Sequence, residues 1–309
     1  MKEVPLFQIM QIKIKIVIEM AKKRHHYIPQ YYLSGFSTPG KTKKIWVYSK
    51  DGSEPFETNI INVGVEGHFY SAVIQYEGST EKSIEDHLAQ NIEGPANPVL
   101  KKLRNRIRIS SKDKYILARY LVGMLTRVPT NRDRVQKDIP EMVAHARKST
   151  QTQFEKALKS NPGDRERLIG LQQQTSNLFG KMETELINEL SMPHFDETLI
   201  TSVFNKNLAL FVNCPGFTFP TSDNPFCFLE SEGLLHGQYV FPISSNVVLL
   251  GRPKTAGKDS EIRYVPMDKE ANFAVNRIIV ATAKRYVYHS ANVDWLKDII
   301  REVNTWSSW

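Results

Sequence analysis

The sequence predicts an α+β fold, with a mixed, largely antiparallel sheet built from N- and C-terminal segments and packed against a central bundle of helices. Three observations lead there. Short apolar runs bounded by turn residues gather at both ends of the chain, such as Lys44-Ile45-Trp46-Val47-Tyr48 and Val247 to Leu250. Between them, Leu117, Leu121, Met124, Leu125 and Val128 recur at helical spacing on one face. The polar, glutamine-rich stretch 131–200, broken at Asn161-Pro162-Gly163-Asp164, reads as long helices forming an αα-hairpin.

Taken in order, Ile12, Ile14, Ile16 and Ile18 alternate at a period of two and predict a strand. Met20-Ala21-Lys22-Lys23 also reads as a bacterial N-terminus, so a natural start at Met1 and one at Met20 both stay open. Pro29 opens a short helix carrying Tyr32, Leu33 and Phe36, which Gly35 and Thr38-Pro39-Gly40 end. Strands follow at Lys44 to Tyr48 and Phe56 to Val63, joined at Asp51-Gly52, with a short extended piece at His68 to Ser71. Residues 79–93 form a helix with Ile84, Leu88 and Ile92 inward, stopped by Gly94-Pro95. Ser111 caps the next helix, which ends before Pro129. Short strands come at Leu208 to Val212, Phe217 to Phe219, Tyr239 to Phe241, Val247 to Leu250 and Ile262 to Val265. A last helix, Asp268 to Lys284, leads into the strand Arg285 to His289. The domain reading is an N-terminal extension over 1–21 and one α+β domain over 22–309, with a helical insertion or arm at about 131–200.

A chain of 309 residues can bury a sizeable core. Its two cysteines, Cys214 and Cys227, make neither a disulfide framework nor a metal-type pair, so a reducing, cytoplasmic setting is the default. No apolar run reaches membrane-spanning length, and lysines interrupt the apolar N-terminus where a signal peptide would need continuity. The net charge of +8 and pI near 9.3 suit a polyanionic partner, nucleic acid first. Basic residues cluster at Lys22 to Arg24, at Lys41 to Lys44, and at Lys101, Lys102, Arg104, Arg106 and Arg108.

The chemically densest stretch is Lys22-Lys23-Arg24-His25-His26-Tyr27-Ile28-Pro29-Gln30-Tyr31-Tyr32-Leu33-Ser34-Gly35-Phe36. Imidazole suits proton transfer or metal binding near neutral pH, so His26, and after it His25, are candidate bases or ligands. Their side chains point opposite ways on an extended segment, so one metal would not take both. Asp223, in Ser222-Asp223-Asn224-Pro225, is a candidate carboxylate at a strand end, against an ordinary Asx-turn. Glu85 and Glu93 lie about 80° and roughly 12 Å apart on a helix, too far for a catalytic pair, so Glu85 would serve a site built from other segments. Either glutamate instead fits a border salt bridge with Arg127 or a neighbour. Arg127 is a candidate phosphate clamp, against a plain helix C-terminal cation. Lys23, Arg24, Asn224 and Asn276 complete the candidate substrate contacts. A His-Asn-His nuclease reading through His25, His26, Asn62 and His68 fails on order, because a helix rather than a hairpin follows His26.

Several blocks together resemble the uncharacterised bacterial family catalogued as domain of unknown function 4238, over about residues 22–290. They are His25 to Phe36, Ile45-Trp46-Val47-Tyr48, Phe69-Tyr70-Ser71, Ile84-Glu85 with Ile92-Glu93, Arg127-Val128-Pro129, Thr221 to Pro225, Phe241-Pro242-Ile243-Ser244, and Asn276 before Tyr286-Val287-Tyr288. The resemblance brings no activity with it, so function rests on the residues. They lead first to a phosphodiesterase or nuclease acting on nucleic acid, in phage defence or a toxin system. His26 would be base or ligand, Glu85 and Asp223 orienters or ligands of a divalent metal (Mg²⁺ or Mn²⁺), and Arg127 a phosphate contact. The alternative is a non-catalytic binding module for nucleic acid or for a protein docked on the 131–200 helices. Geometry separates the two: convergence of His26, Asp223 and a glutamate in one cleft favours the enzyme, and separate internal satisfaction of each favours the binding module.

Overall fold

The computed structural model describes residues 24–41, 43–67, 86–191, 193, 195–229, 233–254 and 262–306. The strand expected at 12–18, the extended piece at His68 to Ser71, the first part of the helix expected at 79, and the candidates Lys23 and Glu85 lie outside those residues.

Strand β1 (Arg24–His26) pairs antiparallel with β4 (Val65–Gly67), His25 facing Glu66. Pro29, held extended, starts the short helix α1 (Gln30–Leu33), which tightens into a 3-10 turn over Ser34–Phe36 and buries Tyr32, Leu33 and Phe36 as their spacing predicts. Strands β2 (Lys44–Ser49) and β3 (Phe56–Asn59) form a hairpin. Gly52 takes φ +87° in its turn, a conformation open to glycine. The second strand was expected to reach Val63 but stops at Asn59. There the Asn59 side chain accepts the Ile61 N–H at 3.1 Å and bends the chain into a 3-10 turn.

The expected helix stop at Gly94-Pro95 does not occur. A π-turn over Ala89–Glu93 runs directly into α2 (Gly94–Arg104). Pro95 falls in the first turn of α2, where a missing N–H costs little. Helix α3 (Ser111–Thr126) is capped by Ser110, one residue earlier than expected, through a reciprocal box with Asp113. Helices α4 (Pro129–Ser160) and α5 (Arg165–Leu190) form the expected hairpin across Pro162–Asp164. Val135, Ile139 and Val143 of α4 pack with Phe179, Leu186 and Leu190 of α5, which makes the pair antiparallel.

Helix α6 (Glu197–Asn205) leads into β5 (Asn207–Val212), followed by β6 (Thr221–Ser222), β7 (Cys227–Phe228), the one-turn helix α7 (Gly233–His236), β8 (Tyr239–Ser244), β9 (Val247–Arg252) and β10 (Arg263–Pro266). Helix α8 (Lys269–Thr282), capped by Asp268, precedes β11 (Tyr286–His289). The segment Phe217 to Phe219, expected as a strand, is a loop. Pro215-Gly216 turns the chain, Gly216 at φ +83°, and the Asn213 amide donates to the Phe217 carbonyl in place of a strand partner. A C-terminal helix absent from the sequence reading, α9 (Asp294–Trp306), buries Leu296, Ile299, Ile300 and Val303 against Tyr48, Val280 and Val287.

The α+β class holds, and the strands divide into separate sheets rather than one layer. One sheet has the order β3-β2-β11-β6 and joins N-terminal to C-terminal strands, all antiparallel. A second has the order β10-β5-β9-β8-β7, with β10 parallel to β5 and the remaining pairs antiparallel, and β1 and β4 form a third, two-stranded sheet. Leu117, Leu121 and Met124 of α3 pack into one core with Phe241 and Leu249 of the second sheet and Tyr288 of the first. Each such buried side chain contributes ~1.5–3 kcal/mol relative to exposure.

Candidate functional site

A cleft of about 450 Å³ opens over one face of the β3-β2-β11-β6 sheet. Register builds its floor. Phe56 lies opposite Val47, and Val47 opposite Tyr288, so the three share one row across the sheet. Tyr286 precedes Tyr288 by two residues and therefore shares its face. Tyr27 and the segment Val63 to Gly67 form the wall. That wall requires Gly64, which sits at φ +61° and whose Cβ, were it present, would lie 2.7 Å from Ile28 Cβ. Its carbonyl accepts N–H bonds from Tyr27 at 2.9 Å and Ile28 at 3.2 Å. Its own N–H donates to the Tyr288 hydroxyl, which in turn donates to Tyr27. Burial drives both phenols above the usual tyrosine range, and the nearby Asp223 charge adds to the effect.

Charge gathers at the rim. Glu66 takes Arg132 at 2.8 Å and Arg285 at 3.6 Å. The Arg285 side chain is 52% exposed, and its guanidinium sits over the Tyr286 ring. Phe56 is 54% exposed and Asn62 is exposed beside it.

The predicted residues surround this cleft more than they enter it. Asp223 is buried, and its carboxylate accepts three backbone N–H bonds: Oδ1 from Lys284 at 2.8 Å, Oδ2 from Arg285 at 2.7 Å and from Tyr286 at 3.1 Å. Burial raises its pKa, while those three donors and the Arg285 charge pull the other way. The expected Asx-turn takes a different form, in which the Ser222 hydroxyl accepts the Asn224 N–H at 3.2 Å. Asp223 thus fixes the start of β11, including the backbone of Arg285 and Tyr286.

Arg127 performs the matching task on β1. It is 2% exposed, donates to Glu93 at 2.7 Å, and donates through Nη2 to the His26 carbonyl at 3.0 Å. Glu93 therefore makes the salt bridge its border position suggested. His26 is half-buried, with Nε2–H donating to the Ile61 carbonyl at 3.1 Å. His25 is wholly buried, and Arg24 is exposed at the strand's start. Asn224 donates to Thr282 O at 3.0 Å, and Asn276 to Thr218 O at 3.1 Å. Thr218 in turn meets His289 Nε2 at 2.7 Å, so Asn276 belongs to a buried polar network and not to the cleft.

A divalent ion is poorly served by these groups. Both Asp223 oxygens already face N–H donors, and the His26 nitrogen resolved in a bond faces a carbonyl. Among the described residues, no group of three or more His, Cys, Asp or Glu is placed to hold a metal. The basic run before α3 also proves partly internal. Arg104 donates to Ile243 O at 3.2 Å, Tyr31 O at 3.1 Å and Tyr32 O at 3.0 Å, and Lys102 pairs with Asp113 at 2.8 Å. Lys101, Arg106 and Arg108 stay exposed.

Sequence reading missed Phe56, Glu66 and Arg285. Each lies in a segment with no chemical signature of its own, and only the register of β3, β4 and β11 brings them together. Tyr27 and Tyr286 fell inside blocks that were singled out for other residues. No helix among the described residues is long and apolar enough to cross a membrane. Comparisons with curated proteins and with solved structures found no match. The family model described as "Protein of unknown function (DUF4238)" matches residues 24–292, most of the chain, and the chain belongs to that family.

Proposed function

We propose that this chain is a non-catalytic nucleic-acid-binding module. The observation that carries the reading is the commitment of Asp223, whose carboxylate is held by three backbone N–H groups of its own fold. His26 and Arg127 are likewise engaged with backbone carbonyls of the protein. A carboxylate that acts as general base or metal ligand needs a lone pair directed at the substrate side, and the three N–H donors take those of Asp223 inward. The charge of +8 gives the sequence-independent attraction that phosphate backbones provide.

The test is one panel of single-stranded and duplex RNA and DNA, read for binding by fluorescence anisotropy and for cleavage with and without Mg²⁺ or Mn²⁺. Salt-dependent binding without cleavage is expected. Cleavage by the wild type that disappears in a correctly folded His26→Ala variant would restore the phosphodiesterase reading, and absence of binding to every member would end the nucleic-acid reading.

A further inference from the structure

We infer that the cleft over the β3-β2-β11-β6 sheet holds an unpaired base of a single-stranded nucleic acid, stacked on Phe56 and Tyr286, with Arg285 taking the adjoining phosphate. This deepens, and rests on, the nucleic-acid reading above.

The argument begins with what the floor offers. Adjacent strands lie about 4.8 Å apart and alternate residues on a face about 7 Å apart. Phe56 and Tyr286 therefore stand at opposite corners of a patch of roughly 10 Å by 7 Å, along one edge of which Val47 and Tyr288 are buried. An exposed aromatic ring at the cleft edge suits a base that has left its helix, because every base has a π-face whatever its sequence. Phe56 is 54% exposed although it sits in a strand, where burial would otherwise be expected for a phenylalanine. Its neighbour across the strand pair, Val47, is 3% exposed, so the ring lies at the open end of an otherwise covered row.

The polar groups complete the match. Glu66 at the wall pairs with Arg132 and Arg285 and keeps both cations at the rim. Arg285 stands on the rim with its side chain 52% exposed and its guanidinium by the Tyr286 ring, where the planar fork can turn from Glu66 to meet a phosphate. Duplex bases cannot reach such a floor without leaving the stack, so the site selects single strands. The volume of about 450 Å³ accommodates one nucleotide.

The experiment is anisotropy titration of fluorescein-labelled 12-mers, single-stranded RNA, single-stranded DNA and the corresponding duplex, against the full chain and its variants. Phe56→Ala should weaken single-strand binding roughly 5- to 150-fold, the range of a lost base–aromatic stack. Phe56→Trp should restore it. Arg285→Ala should flatten the plot of log Kd against log salt by about 0.7, one single-strand phosphate contact. Thermal melts confirm folding, which the exposure of both side chains protects. If the wild type binds no nucleic acid, the functional reading itself falls. If the wild type binds and both variants bind equally well, or if duplex binds as tightly as single strand, the cleft assignment alone is overturned.

Discussion

Replacing Asp223 by asparagine separates a structural carboxylate from a catalytic one. The substitution keeps shape and removes charge. Asparagine can place its amide in two ways. With Nδ2 at the Oδ2 position, two donors from Arg285 and Tyr286, now 2.7 and 3.1 Å away, meet a third donor, and both bonds are lost. With Nδ2 at the Oδ1 position, only the 2.8 Å bond from Lys284 is lost, and the other two persist to a neutral acceptor. The second arrangement is cheaper. A bond to a charged acceptor contributes ~1.5–3 kcal/mol and one to a neutral acceptor ~1 kcal/mol, so one loss and two weakenings sum to roughly 3–6 kcal/mol. Relief from burying a charge offsets about 1–2 kcal/mol of that. The expected destabilisation is therefore about 2–4 kcal/mol, measured by urea unfolding followed by circular dichroism. A catalytic carboxylate behaves the other way, since its removal leaves stability unchanged or improved while function disappears. An Asp223→Asn protein within about 0.5 kcal/mol of the wild type would refute the positioning argument.

Three further outcomes are expected. Arg127→Lys keeps the charge but cannot reach Glu93 and the His26 carbonyl together, so urea unfolding should show a loss of ~1–3 kcal/mol; an unchanged midpoint and slope would exclude the clamp. Burial lowers the His289 pKa from 6.5 to about 4, so the folded state keeps a neutral imidazole where the unfolded chain takes up a proton. Its contribution is complete above pH 6.5 and is lost as pH falls towards about 4, roughly 3 kcal/mol in all; His289→Gln should lack that part of the pH slope, and an identical slope would contradict it. Glu66→Gln removes the anion shared by Arg132 and Arg285, so single-strand affinity should rise roughly 3- to 10-fold at low salt and converge with wild type at high salt; weaker binding would show that Glu66 instead contacts the ligand.

Much of the fold was legible because its signals are local. Helix α3 announced itself by apolar spacing, the α4–α5 hairpin by its Asn-Pro-Gly-Asp break, and β8, β9 and β11 by short apolar runs between turns. The failures have specific causes. Gly94-Pro95 has the composition of a helix stop, but a π-turn shifts the helix register so that proline arrives in a first turn, where it is tolerated. Helix α9 carries Leu296, Ile299, Ile300 and Val303 at helical spacing, a signal the sequence holds and the reading above does not use. The loop at Phe217 followed the competition of Asn213 for its carbonyl, which no hydrophobic pattern encodes.

The candidate site was legible in part, for a reason that bears on what its residues do. The blocks around His25 to Phe36 and Thr221 to Pro225 were singled out as chemistry, and they meet in space. Tyr32 bonds Thr221 at 2.7 Å, deep in the core, and the Tyr27 and Tyr288 hydroxyls meet within the influence of Asp223. Ionisable residues in a dense motif attract attention as catalysts, yet a buried charge that spends its bonds on backbone atoms constrains geometry. Arg127 fixes β1 through a carbonyl, and Asp223 fixes the start of β11 through three N–H groups. Between those two anchored strands lies the cleft, whose own lining of Phe56, Glu66 and Arg285 is scattered through unremarkable sequence. A motif of this kind is the frame of a site, and the groups that meet a ligand are found by asking which exposed side chains that frame holds still.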